Sequence, residues 1–396
     1  MPRLSSFIAA GLSYTLALAS PLLADAPWRA PAHPLMAAPK AVIEPVIDGV
    51  IDPEEWSDAL QLGLFYHAEL VTLAPEEIAT VLYLKWDDEA LYVAMRGKLY
   101  PEGTSVRAAE RRYGASDGII QGDHAFFELF PLADRSTGNV SRTGSFTWLW
   151  NPLGAFSDHH LNIQPGQRGG DWISDATLAN RVTETHWESE MRIPLENLKS
   201  QNITRQIKLP PSHGDSWSFH AARRFGRHGD GIDLATTPER SVFTHRNSSD
   251  WAEAWATLPA LRLSNSAVAL HLETLGDLTR GLLEPVWSFH NSSDREASVS
   301  IDLVIRDSEG ETVFEFAESV NVPAGETVVG PVIAEKLTLE PSGMMQNGGD
   351  TDTASVFLRI RDDQGNFLYI GPPAPFFVFN DLLRTQFQRA LQILRE

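Results

Sequence analysis

The segment Trp187-Glu188-Ser189-Glu190-Met191-Arg192-Ile193 alternates strictly, with Trp187, Ser189, Met191 and Ile193 on one side and Glu188, Glu190 and Arg192 on the other. A repeat of two residues is the signature of a strand with one face buried. The same short period returns at Thr80–Trp86, where Leu82, Leu84 and Trp86 share a face, and at Leu91, Val93 and Met95 across the acidic turn Asp87-Asp88-Glu89. It returns again at Ala125–Phe130, Phe146–Trp150 and Trp217–Phe225. Long helical periodicity is absent from 41 to 264, so the expected fold is all-β, an antiparallel β-sandwich. Ile47–Trp56 is expected as an edge strand followed by a turn and a short helical turn capped by Asp52, and Pro194–Leu198 as one helical turn.

From about 265 to 379 a second series of strands and turns begins. Val299–Arg306 alternates, Asp307-Ser308-Glu309-Gly310 turns, and Thr312–Phe316 returns. Ser355–Arg361 and Phe367–Ile370 form a further pair across Asp362-Asp363-Gln364-Gly365. About 115 residues of this kind fit a smaller immunoglobulin-like sandwich, expected to act as a spacer or as a docking module for a partner protein. Residues 380–396 carry Leu382, Leu383, Phe387, Leu391 and Leu394 at helical spacing behind a cap at Asn380 or Asp381, which predicts a C-terminal helix.

The first 26 residues have a basic start at Arg3, an apolar stretch from Phe7 to Leu23 and the small-residue site Ala24-Asp25-Ala26, the pattern of a cleavable signal peptide. Residues 27–40, rich in proline and alanine, are expected as a structureless linker. A secreted or periplasmic location follows, with no membrane span in the mature chain. The 396 residues include no cysteine, which removes disulfides, thiolate metal sites and a lipobox anchor. The formal charge of −20 argues against nucleic acid, whose phosphates need basic patches.

In order along residues 43–264 stand Ile47-Asp48-Gly49 through Trp56, Trp86-Asp87-Asp88 with Leu91-Tyr92-Val93, Asp123–Phe130, and Trp150-Asn151-Pro152-Leu153-Gly154. Trp187-x-x-Glu190-x-x-Ile193-Pro194-Leu195 and Trp217-Ser218-Phe219-His220-Ala221-Ala222-Arg223 follow. Together these pieces resemble the family 9 carbohydrate-binding modules. The resemblance implies a non-catalytic sandwich that binds a polysaccharide or oligosaccharide by aromatic stacking and hydrogen bonds, with structural calcium and a place in polysaccharide utilisation. Carried onto this chain, it points to Trp150, Asn151, Glu128, Arg223 and Trp251 as sugar-binding residues. The chain departs from the family before Asp123, where a tryptophan is usual and Gly118-Ile119-Ile120-Gln121-Gly122 stands instead, and at His220, where an asparagine is common.

Each candidate has an ordinary reading beside the functional one. Phe146, Trp148 and Trp150 share a strand face that serves either as a stacking plate or as core, with Trp150 nearest a rim. Asn151 before Pro152 is also an ordinary turn residue. Arg223 shares parity with Trp217 and Phe219, which suits a buried structural arginine, whereas Arg224 points the other way. Asp87 and Asp88 offer hard oxygens to calcium or simply make a solvated turn. Asp158-His159-His160 and Arg227-His228-Gly229-Asp230 are expected as loops. Three further classes compete with sugar binding: a glycoside hydrolase using Glu128, a haem-binding electron-transfer sandwich with Met95 and Lys98 as ligands, and a structural module whose sugar site is degenerate.

Overall fold

The computed structural model describes residues 33–67, 72–100, 106, 108, 119, 122–131, 145–160, 172–198, 207–225, 232–235, 258–339, 353–372 and 374–395. The strands of the first half are β1 (Leu35–Pro39), β2 (Leu60–Leu62), β3 (Tyr66–His67), β4 (Thr72–Leu73), β5 (Thr80–Trp86), β6 (Ala90–Lys98), β7 (His124–Phe130), β8 (Phe146–Trp150), β9 (Phe156–His160), β10 (Thr177–Val182), β11 (His186–Pro194), β12 (Ser216–Phe225), β13 (Ile232–Ala235) and β14 (Ala260–Ser264). The second half adds β15 (Val268–Thr274), β16 (Leu282–Leu283), β17 (Val286–Asn291), β18 (Ala297–Arg306), β19 (Thr312–Val322), β20 (Thr327–Val329), β21 (Glu335–Lys336), β22 (Ala354–Asp362), β23 (Phe367–Ile370), β24 (Ala374–Phe376) and the helix α1 (Asp381–Arg395). The all-β sandwich expected from alternation is what the chain forms.

Two large sheets face each other. One runs β19-β18-β22-β23-β1-β14-β12-β13-β3-β4, with β7, β8 and β9 branching from β12 and β24 from β22. The other runs β10-β11-β6-β5-β2-β15-β17-β20. Both pass through the 264/265 boundary, so the two halves share their sheets. The joint in the first sheet is β1, which lies parallel to β14 and antiparallel to β23. This corrects the expectation of a structureless 27–40: Leu35–Pro39 is a buried strand because partners from both halves satisfy its backbone. In the second sheet the joint is the parallel pair β2–β15.

Residues 41–58 also differ from expectation. Ile47–Trp56 contains no strand; it is a run of turns in which Asp52 accepts from the Glu54 amide through its side chain and from the Trp56 amide through its carbonyl. This segment lies over the outer face of β5 and β6, packing Ile51 and Trp56 on Val81, Tyr83, Tyr92 and Ala94. A sheet covered on both faces loses its alternation, which is why every residue of β5 is buried. Glu190, on the polar side of the alternating β11, is likewise buried. Its carboxylate accepts from the Trp56 indole at 2.7 Å and the Gly49 amide at 2.7 Å, with the Asp48 amide at 3.2 Å. Burial raises its pKa above the ordinary carboxylate range, against the pull of those donors.

Helix α1 is capped by Asn380, whose side-chain oxygen accepts from the Leu383 amide at 2.8 Å. Phe387 and Leu391 bury its apolar side. Arg384 joins both halves, bonding Glu77 at 3.0 Å together with Asp277 and Thr279. Among the described residues no helix is long and apolar enough to cross a membrane.

Candidate functional site

Strands β9, β8, β7 and β12 lie side by side, and their registers decide what faces the interior. The inward side of β7 and β12 carries Ala125, Phe127, Leu129, Trp217, Phe219 and Ala221, all within the main core. Strand geometry sends the alternate residues to the other face. There His220 stands opposite Glu128, Glu128 opposite Thr147, and Thr147 opposite His159, one polar row across four strands. A second outward pair, His124 and Arg224, stands opposite one another further along. Between the rows lies Phe126, half-buried, its ring 5.0 Å from that of His220. The face is closely covered: His220 is 0% exposed and His124, Glu128 and Arg224 only 4–5%, Ile119 packs over its edge on Leu149 and Phe126, and Thr147 and His159 are its partly exposed members. Burial lowers the His220 pKa to about 3, which keeps the imidazole neutral at physiological pH. A carboxylate, imidazoles and a guanidinium on one recessed sheet face supply the donors and acceptors that orient a polar, uncharged ligand.

The residues expected at a sugar site fall in different places. Glu128 belongs to the polar row. Trp150 does not: at 1% exposure it lies on the inward face with Phe146 and Trp148, so the expected rim position is corrected to core. The reason is register, since Trp150 pairs between Ala125 and Phe156 in the middle of three strands. Asn151 is fully buried and closes the β8–β9 hairpin, its side-chain oxygen accepting from the Leu153 and Ala155 amides at 3.1 and 3.0 Å. The turn reading of Asn151 accounts for that oxygen. Trp251 and the Arg227–Asp230 segment lie outside the described residues.

Arg223 points between the sheets, not toward the outward face, which corrects its assignment as a ligand contact. At 2% exposure its guanidinium donates to the Thr80 hydroxyl at 3.2 Å and the Lys98 carbonyl at 2.9 Å, and it lies 4.0 Å from the Phe225 ring centre. The opposite sheet makes room for it at Gly97, which sits between Thr80 and Trp187 in the strand registers. A Cβ there would overlap the guanidinium, which its own hydrogen bonds hold in place. Gly97→Ala is therefore expected to destabilise the fold by about 1–3 kcal/mol, the usual cost of overpacking a filled interior. A lowered urea midpoint with unchanged slope is the measurement, and an unshifted midpoint would remove Arg223 as a rigid strut.

The other candidates are drawn into the hairpins that carry them. One Asp87 side-chain oxygen accepts from the Glu89 and Ala90 amides and the other from the Tyr92 hydroxyl. Asp88 pairs with Lys40 at 2.8 Å. Among the described residues no three acidic, histidine or cysteine side chains gather as a metal centre would require. Met95 and Lys98 stand three residues apart on β6 and so point to opposite faces, which prevents them from converging on one haem iron. Asp158-His159-His160, expected as a loop, is part of β9. His159 joins the outward row, while His160 turns inward against Phe146 at 4.6 Å and Trp172 at 5.9 Å, where burial lowers its pKa. Parity within β9 could have separated the two histidines, but their cross-strand partners are not local in sequence.

No family model matches the sequence, and no curated protein matches it. Among solved structures the chain is similar to a carbohydrate binding module family 9 domain from Caldicellulosiruptor kristjanssonii in complex with cellotriose, at 15% identity over 58% of this chain and 93% of that one, with a TM-score of 0.36. The glucose complex of a family 9 module from the same organism gives 15% identity, 58% and 95% coverage and a TM-score of 0.35. A protein from Bacteroides uniformis described as carbohydrate-binding gives 12% identity, 58% and 97% coverage and a TM-score of 0.40.

Proposed function

We propose that this protein is an exported carbohydrate-binding protein whose ligand contacts lie on the outward face of β9-β8-β7-β12. The observation that carries the reading is the row His159, Thr147, Glu128 and His220, set in register on four adjacent strands and recessed beside the Phe126 ring. Hydroxyls of a sugar ring need such placed donors and acceptors, and the apolar side of the ring packs on an aromatic edge or plane. The sequence segments that resemble the family 9 modules supply Glu128 and His220 of the row and the Phe126 ring, whereas Thr147 and His159 flank the segment from Trp150 to Gly154 on either side. Export rests on the signal-peptide pattern of residues 1–26. Binding without catalysis follows the resemblance to the family 9 modules, and a hydrolase would need a second carboxylate beside Glu128.

Titration calorimetry against glucose, cellotriose and a wider glycan panel tests this. Glu128→Gln is expected to weaken the best ligand by about 2 kcal/mol, roughly thirtyfold, the worth of a hydrogen bond to a charged group. Absence of binding across the whole panel would overturn sugar recognition. Release of reducing ends by the wild-type protein, abolished in Glu128→Gln, would move the assignment to a hydrolase.

A further inference from the structure

The cover that residues 41–58 provide over the outer face of the eight-stranded sheet stops at Pro53 and Ser57. Beyond it, above β2, β15, β17 and β20, the face opens into a groove of about 470 Å³. Its floor is another cross-strand row, Gln61, His271 and Ser288, which continues in register to Val329 at the rim. Its rim is aliphatic and bare: Val286, Val329 and Val332 are 53%, 74% and 89% exposed. The segment carrying Val332 is strapped down, because the Trp287 indole donates to the Pro331 carbonyl at 2.9 Å and Gly330 lies so close to that ring that a Cβ would overlap it.

Strand β20 ends the sheet. The Gly330 amide donates to the Trp287 carbonyl and the Asn291 amide to the Glu326 carbonyl, so residues 326, 328 and 330 direct their backbone groups toward β17. Thr327 and Val329 therefore direct theirs to the open edge, where no described strand pairs with them. An open edge is a template for another strand unless charges guard it. The 11-residue edge strand β19 is guarded in this way by exposed Glu315 and Glu318. The three residues of β20 carry no charge. The field around the groove is negative: Glu273 lines it beside its partner Arg96, and exposed Glu54, Glu284 and Glu326 are the chain neighbours of lining residues Pro53, Pro285 and Thr327.

We propose that this groove binds an extended peptide segment of a partner protein by strand addition to β20. The peptide backbone pairs with Thr327 and Val329, alternate β-branched side chains pack on Val286, Val329 and Val332, and flanking lysines or arginines face the acidic surround. The site spans both halves of the chain and is independent of the sugar-binding reading.

The test uses the full chain and a fluorescein-labelled peptide, Lys-Lys-Val-Thr-Val-Thr-Val-Lys-Lys, followed by anisotropy at low and at physiological salt. Saturable binding is expected, reduced at least tenfold by Val329→Pro, which removes an outward amide, and by Val332→Ser, which removes an aliphatic contact at an exposed rim position without changing the charge. N-methylation of alternate peptide amides, which blocks pairing without changing charge, is expected to reduce binding at least as much. No saturable binding at millimolar peptide overturns the proposal. So does binding that survives Val332→Ser and N-methylation, because that would be charge attraction alone.

Discussion

Lys85→Met, with Asp58 left in place, is expected to lower the free energy of unfolding by about 3–5 kcal/mol. The pair is sealed between the sheet and the turns that cover it. The Lys85 ammonium bonds Asp58 at 2.7 Å and the carbonyls of Ile43 and Glu55 at 2.7 and 2.5 Å. The other Asp58 oxygen takes the Val42 and Ile43 amides at 2.6 and 3.0 Å. Burial pulls the Lys85 pKa below its ordinary value, and the Asp58 carboxylate opposes that pull. Methionine fills the volume and removes the charge, so the Asp58 carboxylate is left buried without its cation and two carbonyls lose their donor. Urea unfolding of Lys85→Met, Asp58→Leu and the double variant measures the effect. The double variant should recover part of the loss, since no lone charge remains; full additivity of the two single losses would show that the residues do not act as a pair.

The second large effect is acid sensitivity. His271 donates from Nε2 to the Ser57 carbonyl at 2.7 Å and accepts at Nδ1 from Ser288 at 3.2 Å, the tautomer that suits both partners. Burial lowers its pKa to about 4, and that of His220 to about 3. Both lie below the unfolded value of about 6.5. The unfolded chain therefore takes up protons that the folded chain refuses, and stability, complete above pH ~6.5, falls as the pH drops toward the folded values. For His271 alone the loss approaches about 3 kcal/mol by pH ~4, at about 1.4 kcal/mol per unit. His220 adds to it over the same window. Urea midpoints taken between pH 7.5 and 4.5 should fall steadily, and His271→Gln should flatten that slope even if it lowers stability at neutral pH. A midpoint indifferent to pH in the wild type would contradict the buried neutral state of both rings.

The strands that alternate in sequence are those with one covered face. Strands β18 and β22 keep the pattern almost residue by residue. It breaks down where a second layer lies outside the sheet. Glu190 sits on the polar side of β11 and is buried, because the Ile47–Trp56 turns bring three donors to it from more than 130 residues away. Strand β1 has the opposite history. Its sequence, Leu-Met-Ala-Ala-Pro, has no strand-like alternation and little β propensity, and it becomes a strand only because β14 and β23 leave a gap between them.

The candidate site divides along the same line. Parity within a strand was enough to place Arg223 with Trp217 and Phe219, and the turn chemistry of Asn-Pro was enough to read Asn151. Parity could not say that Trp150 lies inside, since that depends on which face of β8 meets the opposite sheet. Nor could it bring His159 to the row of Glu128 and His220, which requires the β8–β9 and β7–β12 registers together.

By itself, then, the sequence determined the all-β class, the capped C-terminal helix and the way each alternating strand sorts its residues into two sets, because these follow from backbone geometry within a few residues. The tertiary structure decided which set is inside, that two sheets run through both halves, and that Glu128, His220 and His159 share one face while Arg223 braces the interior. Those outcomes rest on pairings between strands distant in sequence, whose register is chosen by the burial of the whole sandwich.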